Sequence, residues 1–145
     1  MKTAKTVDML LMKKGRDVWS IAPSATVYEA IEMMNERHVG ALPVMEGDNL
    51  VGMLSERDYA RKVILKGRSS RECQVRDIMT SEVICVDAER KIEECMAVMT
   101  EKKIRHLPVK AGGQMVGIVS IGDLVKAIIE EQEFLIQQLE SYITG

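Results

Sequence analysis

The chain can be laid on itself. Shifted by 65 positions, residues 18–64 fall on residues 83–129 without a gap. The identities run the length of the overlap: Val18 on Val83, Glu29 on Glu94, Met34 on Met99, Leu42-Pro43-Val44 on Leu107-Pro108-Val109, Gly47 on Gly112, Val51-Gly52 on Val116-Gly117, Ser55 on Ser120, Asp58 on Asp123 and Ile64 on Ile129. Two copies of one pattern must adopt the same supersecondary unit. A unit of about 50 residues cannot bury enough apolar surface to offset its own chain entropy. The two copies are therefore expected to share a core.

Each copy opens with a short apolar stretch, "VWSI" or "VICV", that reads as a strand. A helix follows. Its apolar positions Val27, Ala30, Ile31 and Met34 recur as Ile92, Cys95, Met96 and Met99, the spacing of one buried helical face. Two more strands come next, "ALPVM" and "NLVGMLS" in the first copy, "HLPVK" and "QMVGIVS" in the second, joined by the turn formers "EGD" and "AGG". A second helix starts just after the serine. The order is strand, helix, strand, strand, helix, which places the chain in the α/β (α+β) class. The expected boundaries are an N-terminal cap segment over 1–17, the first unit over 18–65, a polar linker over 66–82, the second unit over 83–130 and a helical extension over 131–145. "TVDMLLMKKG" reads as a helix capping the first unit. Ile121 to Ile143 reads as one long helix with Leu124, Ile128, Leu135 and Leu139 as its apolar stripe.

Composition narrows the function. In 145 residues, 46% are hydrophobic, 29% charged and only 3% aromatic, with 11 Met, so aliphatic and Met side chains must fill the core. A formal charge of -2 provides no basic field for a phosphate backbone, which speaks against nucleic acid. Cys73, Cys85 and Cys95 lack the spacing of a disulfide framework or a zinc site, which suits a reducing, cytoplasmic compartment. The N-terminal apolar run is short for a signal peptide, and no stretch approaches the ~20 apolar residues of a membrane span. With His38 and His106 as its histidines, and no cysteine near either in sequence, the chain offers neither a nucleophile with its base nor a His/Cys metal set. It has no GxGxxG or GxxxxGK phosphate loop. The reading is a protein that is not an enzyme and holds no metal.

The doubled "LPV", the doubled "VG-x-x-S-x-x-D" and the helix between them resemble a tandem of CBS domains, the pair called a Bateman module. The resemblance runs from Val18 to about Ile129. The flanking "ERDYARKV", "GRSS" and "IRHLPV" are similar to those of small stand-alone CBS proteins of bacteria and plant organelles. It implies two pseudo-twofold-related β-α-β-β-α units packed through their sheets, with helical extensions at both ends. It also implies two clefts that take an adenosine-containing ligand: AMP, ADP, ATP or NAD(H), with S-adenosylmethionine less expected. Carried over by residue, one cleft combines Ser120 and Asp123 with Val39, Gly40, Ala41, Ala25 and Ala30. The other combines Ser55 and Asp58 with Ile104, Arg105, His106, Arg90 and Cys95. Met53 and Ile118 are positioned to pack on an adenine face. A carboxylate can accept both hydroxyls of a ribose, and a serine at a helix start lies where a phosphate is favoured. Arg105 and His106 resemble the basic pair that binds phosphate in the gamma subunit of AMP-activated protein kinase. Arg57 has Gly122 as its counterpart, so the two clefts are expected to differ.

Plainer roles exist for the same residues. Serine followed three positions later by an acid, ahead of an apolar helix, is close to a capping box. Arg57, Arg61 and Lys62 read as a solvated helix face, and Arg105 and His106 as a strand edge. The functional expectation is a nucleotide sensor that modulates a partner protein and forms a homodimer. The alternatives are an interaction scaffold with empty clefts and a nucleotide-modifying enzyme.

Overall fold

The computed structural model describes residues 5–144. The chain divides into two compact units, residues 17–84 and residues 85–144 together with 5–16. Both mix helices with a small sheet.

In the first unit, helix α2 (Val27–Arg37) starts where the Thr26 hydroxyl accepts from the Glu29 amide at 3.1 Å, and it buries Val27, Ala30 and Met34. It ends on His38, which is left-handed at φ 55°, while the Val39 amide returns to the Met34 carbonyl at 3.1 Å. Strands β1 (Ala41–Glu46) and β2 (Asn49–Ser55) pair antiparallel, with an irregularity after Val44. The expected strand "VWSI" shrinks to a single parallel bridge between Ile21 and Val44. The reason is Pro23. A parallel ladder would next draw an amide from that position, and proline has none.

After β2 come the short helix α3 (Glu56–Tyr59) and a π-helical turn over Ala60–Ile64, in which the Leu65 amide reaches the Ala60 carbonyl at 3.0 Å. Part of the stretch expected as linker folds onto this repeat as helix α4 (Val75–Ile78). The Val75 amide donates to the Ala25 carbonyl at 2.8 Å, and the Val27 amide to the Cys73 carbonyl at 2.9 Å. Cys73, Val75 and Ile78 join Ile21, Leu42, Val44, Leu54 and Val63 in the core.

The second unit repeats this plan with one visible difference. Ala88 stands where Pro23 stands, and its amide donates to the Lys110 carbonyl at 2.9 Å. A true strand results, β3 (Val86–Asp87), parallel to β4 (His106–Ala111), which pairs antiparallel with β5 (Gln114–Ser120). Helix α5 (Ile92–Lys102) buries Ile92, Cys95 and Met99. It ends on left-handed Lys103, at the repeat position of His38.

The helix expected to cap the first repeat packs on the second instead. In α1 (Val7–Lys14) the Val7 amide donates to the Arg90 carbonyl at 2.8 Å and the Asp8 amide to the Ala88 carbonyl at 3.0 Å. These bonds duplicate those that Val75 and Arg76 make to Ala25 and Pro23 in the first unit. Each repeat is thus completed by a segment that does not lead directly into it. The repeated glycines are explained by the same packing. A Cβ on Gly117 would stand 2.7 Å from Leu11 Cδ2, and one on Gly52 would stand 2.5 Å from Met79 Sδ.

Helix α6 (Ile121–Thr144) is the long helix the sequence implies. Leu124 is fully buried, but beyond Glu131 the apolar residues Phe134, Ile136, Leu139, Tyr142 and Ile143 are all exposed.

Candidate functional site

β2 and β5 each end on a serine at the point where the chain turns into a helix, and the aspartate three residues on folds back to it. In the first unit the Ser55 amide and hydroxyl both donate to Asp58 Oδ2, at 3.0 and 3.1 Å, and the Asp58 amide donates to Ser55 Oγ at 3.2 Å. In the second the Ser120 amide donates to Asp123 Oδ2 at 2.8 Å and the Asp123 amide to Ser120 Oγ at 3.1 Å. Both motifs are therefore reciprocal capping boxes. Each carboxylate is fixed in direction before any ligand is considered.

The surroundings of the two serines also repeat. Ser55 faces Ala41 across its ladder and Ser120 faces His106, while Met53 faces Pro43 and Ile118 faces Pro108. Because side chains alternate along a strand, Met53 and Ser55 share one face, as do Ile118 and Ser120. The Gly40 carbonyl accepts the Glu56 amide at 3.0 Å and the Arg105 carbonyl accepts the Ile121 amide at 2.9 Å, closing the helix start from the other side. Val39, Gly40 and Ala41 thus stand beside Ser55, and Ile104, Arg105 and His106 beside Ser120. Ala25, Val39, Gly40 and Ile104 are half-buried, and Arg57 and Arg105 are exposed. Ala30 and Cys95 have no exposed surface at all, so a ligand would reach them only through an opened core. Arg90 pairs with Glu94 at 3.5 Å.

Two lysines the sequence did not single out as site residues hold the carboxylates. Lys62 Nζ lies 3.1 Å from Asp58 Oδ1 and donates to the Ile78 carbonyl at 2.9 Å. The signal for it was the Asp-to-Lys spacing of one helical turn. Lys14 Nζ lies 2.6 Å from Asp123 Oδ2 and donates to the Ile118 carbonyl at 2.9 Å. Nothing local announces that pair, whose partners are 109 residues apart. In the repeat register Ala127 stands where Lys62 stands.

The electrostatics follow from this geometry. Burial works to raise the Asp123 carboxyl, but the Lys14 hydrogen bond and charge and the two Ser120 donors outweigh it and hold it below its ordinary value. Burial pushes the His106 imidazole down; Asp123 opposes this, and Lys14 and Arg105 add to it. Burial pushes the Cys95 thiol up to about 11, with Arg90 opposing and Glu94 adding, and it raises Cys85 against the charge of Lys110. Neither thiol is poised as a nucleophile.

Two repeats with this strand-serine-helix junction define a tandem regulatory module, and the chain belongs to the CBS-domain family, whose model matches residues 8–65 and 75–130. It is 41% identical over 150 residues to the mitochondrial CBS domain-containing protein CBSX3 of Arabidopsis thaliana, covering 97% of this chain and 72% of that one. A CBS-domain structure from Burkholderia ambifaria superimposes with a TM-score of 0.85 at 46% identity, covering 88% of this chain and 96% of the other. A hexameric CBS-CP12 protein from bloom-forming cyanobacteria is similar at 26% identity and a TM-score of 0.75, over 85% of this chain and 71% of that one. Among the described residues no helix is long and apolar enough to cross a membrane.

Proposed function

We propose that this protein is a sensor that binds an adenosine-containing ligand of the AMP, ADP, ATP or NAD(H) type and reports it to a partner protein. The observation that carries the reading is the carboxylate fixed beside its serine at a strand-to-helix junction, in both repeats, with a half-buried strand residue two positions upstream of the serine. A carboxylate so aimed accepts the paired hydroxyls of a ribose in charge-assisted hydrogen bonds, and Met53 or Ile118 offers an apolar surface to a base. Capping and ligand contact are compatible at Asp123. The cap and Lys14 both use Oδ2, and among the described residues Oδ1 has no partner. At Asp58 both oxygens are engaged, which favours unequal affinities.

The protein acts by binding rather than by catalysis. Ligand shifts the balance between two arrangements of the chain by its differential affinity for them, and the partner reads the difference. The exposed apolar residues of α6 favour a homodimer formed through that helix. Cysteines without the spacing of a disulfide framework favour a cytoplasmic setting.

Calorimetry with AMP, ATP and NADH, together with mass spectrometry of ligand released on denaturation, tests the reading. Asp123→Ala removes charge-assisted hydrogen bonds, so affinity should fall by roughly 10- to 150-fold. An Asp123→Ala chain that melts lower yet binds as the parent does would reduce the motif to a helix cap.

A further inference from the structure

The Asp123 carboxylate is held by a cation that comes from far away in sequence and from another helix. Lys14 is the last residue of α1, and its ammonium bridges Asp123 Oδ2 at 2.6 Å and the Ile118 carbonyl at 2.9 Å. It therefore sits on two of the residues to which the nucleoside contacts are assigned. Beside the pair, α1 and α6 enclose a groove of about 420 Å³. Met9, Leu10 and Ala127 line it with apolar surface and Lys5, Lys13, Lys14 and Lys126 as cations, Lys5 being matched by Glu131 at 3.3 Å. Lys13 is matched by Glu130 at 2.7 Å. No ion pair is formed by Lys126 among the described residues, so the groove beside Asp123 carries excess positive charge.

From this juxtaposition we infer that Lys14 makes the Asp123 site require a phosphate. The inference rests on the reading of Asp123 as a hydroxyl-binding carboxylate. A neutral nucleoside offers only hydroxyls; one can take the open Oδ1, but its neighbour must compete at Oδ2 with the ammonium already bonded there. A nucleoside phosphate offers an exchange. Its phosphate takes Lys14 on the groove side, next to Lys126, and Asp123 is released to the ribose. Lys14 is then a specificity residue of this unit alone. In the first unit the lysine on Asp58 belongs to the same helical segment, one turn on.

Calorimetric titration of the parent, Lys14→Met and Lys14→Arg with AMP and with adenosine tests this. In the parent, AMP should bind at least about tenfold more tightly than adenosine, the scale of one charge-assisted bond. In Lys14→Met that ratio should collapse from both ends, adenosine gaining as the competing cation is lost and AMP losing its phosphate contact. Lys14→Arg, which keeps the charge, should keep the preference. A variant that merely weakened the fold would lower both affinities together, and a ratio unchanged in Lys14→Met overturns the inference while leaving the sensor reading standing. If the parent binds neither AMP nor adenosine, both fall.

Discussion

Gly117→Ala is the most direct test of how the second repeat is completed. The added methyl would lie 2.7 and 2.8 Å from the two Cδ atoms of Leu11 and 3.3 Å from its Cγ, closer than carbon atoms pack. Leu11 has no exposed surface, so it cannot swing into solvent. Overpacking of this kind costs about 1 to 3 kcal/mol. Gly117 is not in a positive-φ conformation. The substitution therefore recovers about 0.4 to 1 kcal/mol by restricting the unfolded chain. Because Leu11 cannot yield, the cost lies in the upper part of that range, about 2 to 3 kcal/mol, so the net loss is about 1 to 2.6 kcal/mol, or a fall in melting temperature of roughly 2 to 10 °C for a chain of this size. Thermal and urea unfolding followed by circular dichroism measures it. Leu11→Ala alone should cost about 2 to 5 kcal/mol through the cavity it leaves. In the double variant the new methyl fills part of that cavity, so the two losses should sum to less than their separate values by about 1 kcal/mol or more. A Gly117→Ala chain as stable as the parent, or strict additivity with Leu11→Ala, would refute the packing of α1 on β5 and the account of the repeated glycine with it.

Two other outcomes are expected. His106 is held below its ordinary value of 6.5 when folded, so as pH falls the unfolded chain takes up the proton first. The stability it contributes is complete above 6.5 and is lost as pH drops toward and through the lower folded value; melting at about pH 7.5 and about pH 5.5 should show the loss, and His106→Asn should flatten it. An unchanged slope in that variant would assign the titration elsewhere. Light scattering at micromolar concentration should give twice the chain mass, and Leu139→Glu, on the exposed stretch of α6, should give a monomer of unchanged melting behaviour at low concentration. A parent that is already monomeric would remove the dimer.

What the sequence determined by itself is whatever depends on residues a few positions apart. The apolar faces of α2 and α5, the length of α6, the hairpins and the two Ser-to-Asp capping boxes are local, and a repeat read twice in one register doubles the signal for each. The glycine inside each serine-ended strand was visible as a repeat, but its reason was not, because that reason is a side chain from another segment. Tertiary structure alone decided that α1 completes the second repeat, and that Pro23 and Ala88 give a bridge in one unit and a strand in the other. It alone placed Lys14 on Asp123. A lysine at a helix end followed by glycine reads as a solvated cap from sequence. Only the docking of α1 beside α6 turns it toward a carboxylate 109 residues away, because no periodicity along the chain encodes which segment will fill a given gap in the core.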